Sequence, residues 1–316
     1  PFYQPLYFPI FAVYVSRGTM ITETVKKCIV CGARGFREHF ECKDHFVSGE
    51  KFKLAVCETC GFCFTNPRPP IDQISPYYES DAYVSHSKTS SGITNRLFHL
   101  SRNYTISYKK RILKKYTSGN TILDYGCGTG DFLNAMDRAG WDCSGIEPNE
   151  GARNQASQNK SLAITDEAGL SDIPDGSLDA ISLWHVLEHI YPISERLSSF
   201  HEKLSPDGTL FVALPNMNSY DARRYGSYWA AFDVPRHIYH FTPESINTLM
   251  KEHGFDMIAS RPMLLDAFYI SMLSEKYKSG RSKIIQAGLT GLLSNIQASV
   301  KGRNYSSLIY IFKKSK

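Results

Sequence analysis

The stretch Ile122-Leu123-Asp124-Tyr125-Gly126-Cys127-Gly128-Thr129-Gly130-Asp131-Phe132-Leu133 leaves few folds open to this chain. An apolar run ends in an acid, three glycines follow at alternate positions, and a helix-like run begins directly after them. The pattern predicts a buried strand, a turn where a Cβ would hold the backbone away from a ligand, and a helix. The first N–H groups of that helix would face whatever sits above the turn.

The sequence downstream supplies matching elements. Strands are predicted over 141–146, 162–165, 177–184 and 209–214, with helices over 131–139, 151–158 and 193–204 between them. Thr242 reads as the N-cap of a helix over 243–253, and two more strands follow over 255–261 and 306–312. Strands alternating with helices imply an α/β fold with a parallel, doubly wound sheet. Ligands of such sheets lie outside the carboxyl ends of the strands, where Asp124, Glu147, Asp166 and the run from His185 to His189 all fall.

Upstream, Cys28-Ile29-Val30-Cys31-Gly32 and Cys57-Glu58-Thr59-Cys60-Gly61 are separated by 25 residues. Each pair forms a knuckle that turns two thiolates toward one ion, and two knuckles complete a tetrahedral structural zinc site. Short strands over 39–42 and 52–56 make the unit a zinc ribbon. Four thiolates leave no open coordination position, so the ion's role is folding. Cys42 and Cys63 read as packing residues. The organisation expected is a leader or non-native extension over 1–22, the ribbon over 23–66, and a linker and helix over 67–117. The main domain follows over 118–316, with a lid at 215–241 and a basic helical insertion at 264–303.

Scattered cysteines beside the two pairs suit a reducing, cytoplasmic compartment. The first residues are apolar and aromatic but contain Pro5 and Pro9 and lack a basic start, which suits a secretory signal poorly; Met20 is the expected natural start. The net charge of +5 is unevenly placed: from Ile270 onward nine Lys/Arg face a single acid, Glu275. A basic tail on a mildly acidic body points to an anionic partner or surface, or to a solvated basic face.

The glycine turn departs from the dinucleotide fingerprint, which needs its third glycine at the position held here by Asp131. Acids at both ends of the turn repel phosphates and suit a cationic or neutral ligand. Glu147 ends the next strand, where a carboxylate can accept two hydrogen bonds from ribose hydroxyls. A nucleoside carrying positive charge satisfies all three. Region 119–261 resembles the class I S-adenosylmethionine-dependent methyltransferases, with Asp124-Tyr125-Gly126-Cys127-Gly128-Thr129-Gly130 matching their first motif. The resemblance implies a Rossmann-like seven-stranded sheet and a cofactor site of Asp124, Gly126, Cys127, Gly128, Gly130, Phe132, Glu147, Pro148, Asp166, Trp184 and His185. Glu147 would bind the ribose, the Asp166 region would face the adenine, and Trp184-His185 would lie beside the methionine end. More narrowly, the chain resembles bacterial methyltransferases that pair a zinc ribbon with this domain, often associated with sugar or cell-surface polysaccharide biosynthesis. Ubiquinone-biosynthesis O-methyltransferases are more distant relatives.

Methylation of oxygen or carbon needs a base. The candidates are His237, then His185, with His240 and with Tyr239 to position a hydroxyl. The competing reading is that these imidazoles hold the loop by hydrogen bonds. His185, Glu188 and His189, at spacings of three and four, could also take a metal on one helical face. Tyr220, Arg223, Arg224, Tyr225, Tyr228 and Trp229 suit a sugar ring with an attached phosphate, or an anchored lid. The insertion would cover substrate, form a homo-oligomer contact, or rest on an anionic membrane surface. The expected activity is methyl transfer to a small polar, sugar-linked acceptor. The rivals are an RNA methyltransferase and a non-catalytic S-adenosylmethionine-binding protein. Nucleic acid is disfavoured because the strand over 177–184 does not end in the Asn/Asp-Pro-Pro-aromatic signature of base-amino methylation.

Overall fold

The computed structural model describes residues 21–78 and 93–315, with side chains from Leu100 onward in the second span. The expected leader, apart from its last two residues, and the Ser/Thr-rich stretch before residue 93 lie outside the described residues. A seven-stranded sheet is built from β4 (Thr121–Tyr125), β5 (Asp142–Ile146), β6 (Ala163–Thr165), β7 (Leu178–Trp184), β8 (Leu204–Pro215), β10 (Phe255–Pro262) and β11 (Ser307–Lys314). The spatial order is β10-β11-β8-β7-β4-β5-β6. Pairs among β4 to β8 are parallel, whereas β11 runs antiparallel to both β8 and β10. The order reverses at β4, which lies between β5 and β7, so the glycine turn sits at the sheet's switch point.

Helix α1 (Ile93–Tyr116) leads into β4, and α2 (Asp131–Asp137), α3 (Glu150–Ala156) and α4 (Ile193–Lys203) connect the parallel strands. Helix α6 (Pro243–Glu252) starts at Thr242 in a full capping box with Ser245. The insertion between β10 and β11 is a helical hairpin, α7 (Asp266–Ser279) and α8 (Ile284–Val300).

The ribbon pairs β1 (Phe36–Lys43), β2 (Lys51–Cys57) and β3 (Cys63–Thr65) antiparallel, with Cys42 and Cys63 both buried. It also has a fourth strand that sequence reading places in a loop. Residues Tyr239–His240 form β9, with Cys63 opposite His240 and Phe64 opposite Tyr239. The segment 215–241 is a folded element, containing α5 (Tyr220–Tyr225) and burying Trp229, Phe232, Arg236 and His240. Ribbon residues Cys28, Cys57, Phe62 and Phe64 share one hydrophobic cluster with Phe241, just after β9, and with Leu123, Ile181 and Tyr310 of the main sheet. The two sheets therefore pack on a continuous core.

Candidate active site

At the end of β4, Asp124 is buried and accepts a hydrogen bond from Ser182 Oγ of the neighbouring β7 at 2.6 Å. Burial pushes its carboxyl up to about 7, against the hydrogen bond from Ser182 and the charge of Lys109, which pull it down. Gly126, Gly128 and Gly130 all have left-handed φ, of 78°, 55° and 78°. At Gly126 a Cβ would lie 2.5 Å from Val186, while at Gly128 it would meet none of the described residues within 4 Å. The turn therefore needs glycine for conformation and leaves open space above Gly128. Glu147 closes one side: it accepts from Gly128 N–H at 2.8 Å and from Asn149 N–H at 2.9 Å. Each oxygen keeps further lone-pair capacity.

Across the turn, Phe132 packs edge-to-face on Trp184 with ring centroids 5.2 Å apart. The Trp184 indole N–H is buried and has no hydrogen-bond partner among the described residues. Lys109 of α1 places its ammonium 4.4 Å from the centre of the same indole, and burial depresses its pKa to about 8. An orphaned donor and an ammonium at one end, with a carboxylate at the other, fit the carboxylate and ribose ends of S-adenosylmethionine. Cys127 is buried and donates its backbone N–H to Ile146 O at 3.0 Å. Pro148 and Asp166 are exposed; Asp166 caps the turn that follows by accepting from Ala168 N–H at 3.1 Å.

A second cluster lies behind β7. His185 has φ of 60°, which an L-residue rarely adopts. Its Nε2 lies 3.2 Å from Asp266 and its Nδ1 3.6 Å from Glu188. Burial alone would lower its pKa, but the two carboxylates outweigh it and hold the ring up to about 9. His185 is therefore an imidazolium at neutral pH. Glu188 is buried, neither of its side-chain oxygens has a hydrogen-bond partner among the described residues, and the three surrounding histidines hold its pKa down despite burial. His237 presents Nδ1 to Ala231 O at 2.8 Å, a contact that requires Nδ1–H, so the neutral ring carries its lone pair on Nε2. That nitrogen lies 3.9 Å from Glu188 and 4.0 Å from Asp233. Ligand atoms of Glu188, His189 and His237 lie within 4.8 Å of one another, a set able to take a cation; His185 is not in that set.

The other candidates for the base are held elsewhere. His240 is buried in β9 with Nε2 3.1 Å from Thr65 Oγ1, and burial lowers its pKa to about 3. Tyr239 donates its hydroxyl to Tyr191 O at 3.2 Å. In the segment 215–241, the Trp229 indole N–H donates to Asp221 at 2.7 Å, and Asp221 also accepts from Ser294 and Ser306. The Tyr225 hydroxyl donates to Glu275 at 3.2 Å. Arg236 is buried between Asp44 of the ribbon, at 3.0 Å, and Asp233, at 2.6 Å. These side chains anchor the segment 215–241; Arg223, Arg224 and Tyr228 remain exposed. Lys109 and Asp266 carry no signal in the sequence, since Lys109 is one of several basic residues in α1 and Asp266 lies past the last motif.

In the ribbon, the sulphurs of Cys28, Cys31, Cys57 and Cys60 lie within 4.8 Å of one another. Each knuckle closes on a glycine of left-handed φ, with Gly32 N–H on Cys28 O and Gly61 N–H on Cys57 O, both at 2.9 Å. Four convergent thiols fit structural zinc.

Residues 98–260 match the model of a family described as Methyltransferase domain. The chain belongs to that family, and its seven-stranded sheet is the Rossmann-like methyltransferase sheet. It is similar to the mitochondrial ubiquinone biosynthesis O-methyltransferase of Bos taurus, 26% identical over 170 residues, which cover 49% of this chain and 46% of that one. The match to the Actinobacillus pleuropneumoniae ubiquinone biosynthesis O-methyltransferase is also 26% identical, over 172 residues covering 50% of this chain and 73% of that one. The chain thus spans about half the length of the bovine relative. Among solved structures, a SAM-dependent methyltransferase from Archaeoglobus fulgidus covers 67% of this chain and 94% of its own, with TM-score 0.46 and 18% identity. The Burkholderia thailandensis 1,6-didemethyltoxoflavin-N1-methyltransferase covers 87% of this chain and 100% of its own, with TM-score 0.49 and 13% identity.

Proposed function

We propose that the protein transfers a methyl group from S-adenosylmethionine to an oxygen or carbon of a small polar acceptor, a sugar-linked or cell-surface polysaccharide intermediate. One observation carries this reading: an acid-flanked glycine turn at the switch point, open above Gly128 and closed by a Glu147 carboxylate that two backbone amides orient. When bound, S-adenosylmethionine supplies a methyl on an already activated sulfonium. The chain's own work is then to align the acceptor, exclude water and remove a proton. Glu147 takes the ribose hydroxyls, and Lys109 with the Trp184 indole N–H takes the methionine carboxylate. His237 is the base, since Nδ1–H is fixed on Ala231 O and Nε2 carries the lone pair. His185, already protonated at neutral pH, orients Glu188 and the start of α7. The names of the ubiquinone biosynthesis relatives favour oxygen as the acceptor atom. The ribbon's four cysteines hold structural zinc.

The test is a cell extract incubated with isotopically labelled S-adenosylmethionine and enzyme, followed by mass spectrometry of labelled products. A labelled sugar-containing product that is absent with Glu147→Ala supports the reading. Calorimetric binding of S-adenosylmethionine without any labelled product overturns it in favour of a non-catalytic binder.

A further inference from the structure

Helix α8 has its polarity reversed. Its seventeen residues include no charged side chain. The face turned into the protein carries small residues: Ala287, Thr290, Gly291, Ser294 and Ala298. Contact there is close, since a Cβ at Gly291 would lie 2.8 Å from the Phe268 ring of α7. The face turned outward carries Ile285, Leu289, Leu292, Leu293, Ile296 and Val300, which retain between 48% and 80% exposure. At 100° per residue these six fall on one continuous arc of the helix. Leu264, just before α7, and Phe268 on it are also exposed. A helix placed only for packing would turn its large apolar side chains inward. A contiguous apolar surface of this kind marks an interaction site.

The charges around the stripe identify its partner. Lys276, Lys278, Arg281 and Lys283 are exposed before α8, and Lys301 and Arg303 are exposed after it. The two acids of the hairpin both face inward: Asp266 pairs with His185 at 3.2 Å, and Glu275 is buried against the Tyr225 hydroxyl at 3.2 Å. The apolar stripe is thus bracketed at both ends by cations with no exposed acid to offset them. A second copy of the chain would set cation against cation, whether the two α8 helices met parallel or antiparallel. A polyanion such as nucleic acid would leave the apolar stripe without a partner. We propose that this face docks on an anionic lipid bilayer, with α8 lying in the interface and the flanking lysines and arginines on the headgroups. No helix among the described residues is long and apolar enough to cross a membrane, so the contact is peripheral.

The proposal does not depend on the methyl-transfer reading, and its test reads binding alone. The full chain is sedimented with vesicles of phosphatidylcholine mixed with phosphatidylglycerol, and with vesicles of phosphatidylcholine only. Association is expected with the anionic vesicles, weakened by salt and at least about tenfold weaker in Leu289→Glu/Ile296→Glu. A melting midpoint equal to that of the parent checks that this variant is folded. If it is not, Lys283→Gln/Lys301→Gln, altered only at exposed helix ends, must show the same preference for vesicle-free solution. Protein that stays in the supernatant with both vesicles overturns the proposal. So does binding that the folded variants leave unchanged, or a dimer that Leu289→Glu/Ile296→Glu disrupts while the parent ignores vesicles.

Discussion

His185 holds a left-handed backbone, which for a residue with a Cβ costs about 1 kcal/mol or more. The grip of Asp266 and Glu188 on its ring offsets that cost, and the same grip raises its pKa to about 9. Because the folded-state pKa lies above the unfolded one, the contribution is complete below about pH 6.5 and is lost as pH rises through about 9. With the side chain 32% exposed, the loss should be on the order of 2 kcal/mol. Denaturant melts across that range should show declining stability in the parent and a flatter profile in Asp266→Asn; equal slopes would remove the ion pair as the cause. A second residue-scale expectation concerns Glu147, whose carboxylate accepts from the N–H groups of Gly128 in the turn and of Asn149. Glu147→Ala should weaken S-adenosylmethionine binding about a hundredfold, close to 3 kcal/mol, in a calorimetric titration. An unchanged Kd would exclude Glu147 from the ribose site.

Elements defined by local pattern were legible in the sequence, and those defined by distant pairing were not. The turn from Asp124 to Gly130 announces itself, because three left-handed glycines between an apolar strand and a helix have few other uses. The hairpin of α7 and α8 likewise follows from helical periodicity. By contrast, β9 exists only because Tyr239 and His240 meet Phe64 and Cys63, and a two-residue strand has no periodicity to read. Arg236 carries no signal of its role in the sequence, because its partner Asp44, 3.0 Å away, lies in the ribbon. The same contact ties the segment 215–241 to the ribbon, since Asp44 also accepts from the N–H groups of Phe46, Val47 and Ser48 in the turn after β1. Asp44→Ala leaves a buried guanidinium with one carboxylate instead of two, and should cost about 3 kcal/mol in chemical denaturation. A loss below about 0.5 kcal/mol would mean that Asp233 alone satisfies Arg236.

At the scale of the molecule, the ribbon and the methyltransferase sheet are joined by β9 and by a common apolar cluster. The Phe62 ring lies 5.4 Å from Phe241 and 6.0 Å from Tyr239, between centroids. Phe241 and Tyr310 continue the same cluster into the main sheet. A small zinc module on a flexible tether would unfold alone when its metal is taken. With zinc held by the four cysteines, as proposed, its removal would release the strands that pair with β9 and would expose Phe62 and Phe64 together with their partners across the junction. Structural zinc sites contribute on the order of 10 kcal/mol to folding, comparable to the whole stability of a domain. Chelation, or Cys57→Ser, should therefore lower the melting point of the entire protein in a single transition. Tryptophan fluorescence should coincide with far-UV circular dichroism, since Trp184 ends β7 of the main sheet and Trp229 is buried between α5 and β9. Two separated transitions, with the tryptophan signal unmoved by chelator, would show instead that the sheet stands without its ribbon.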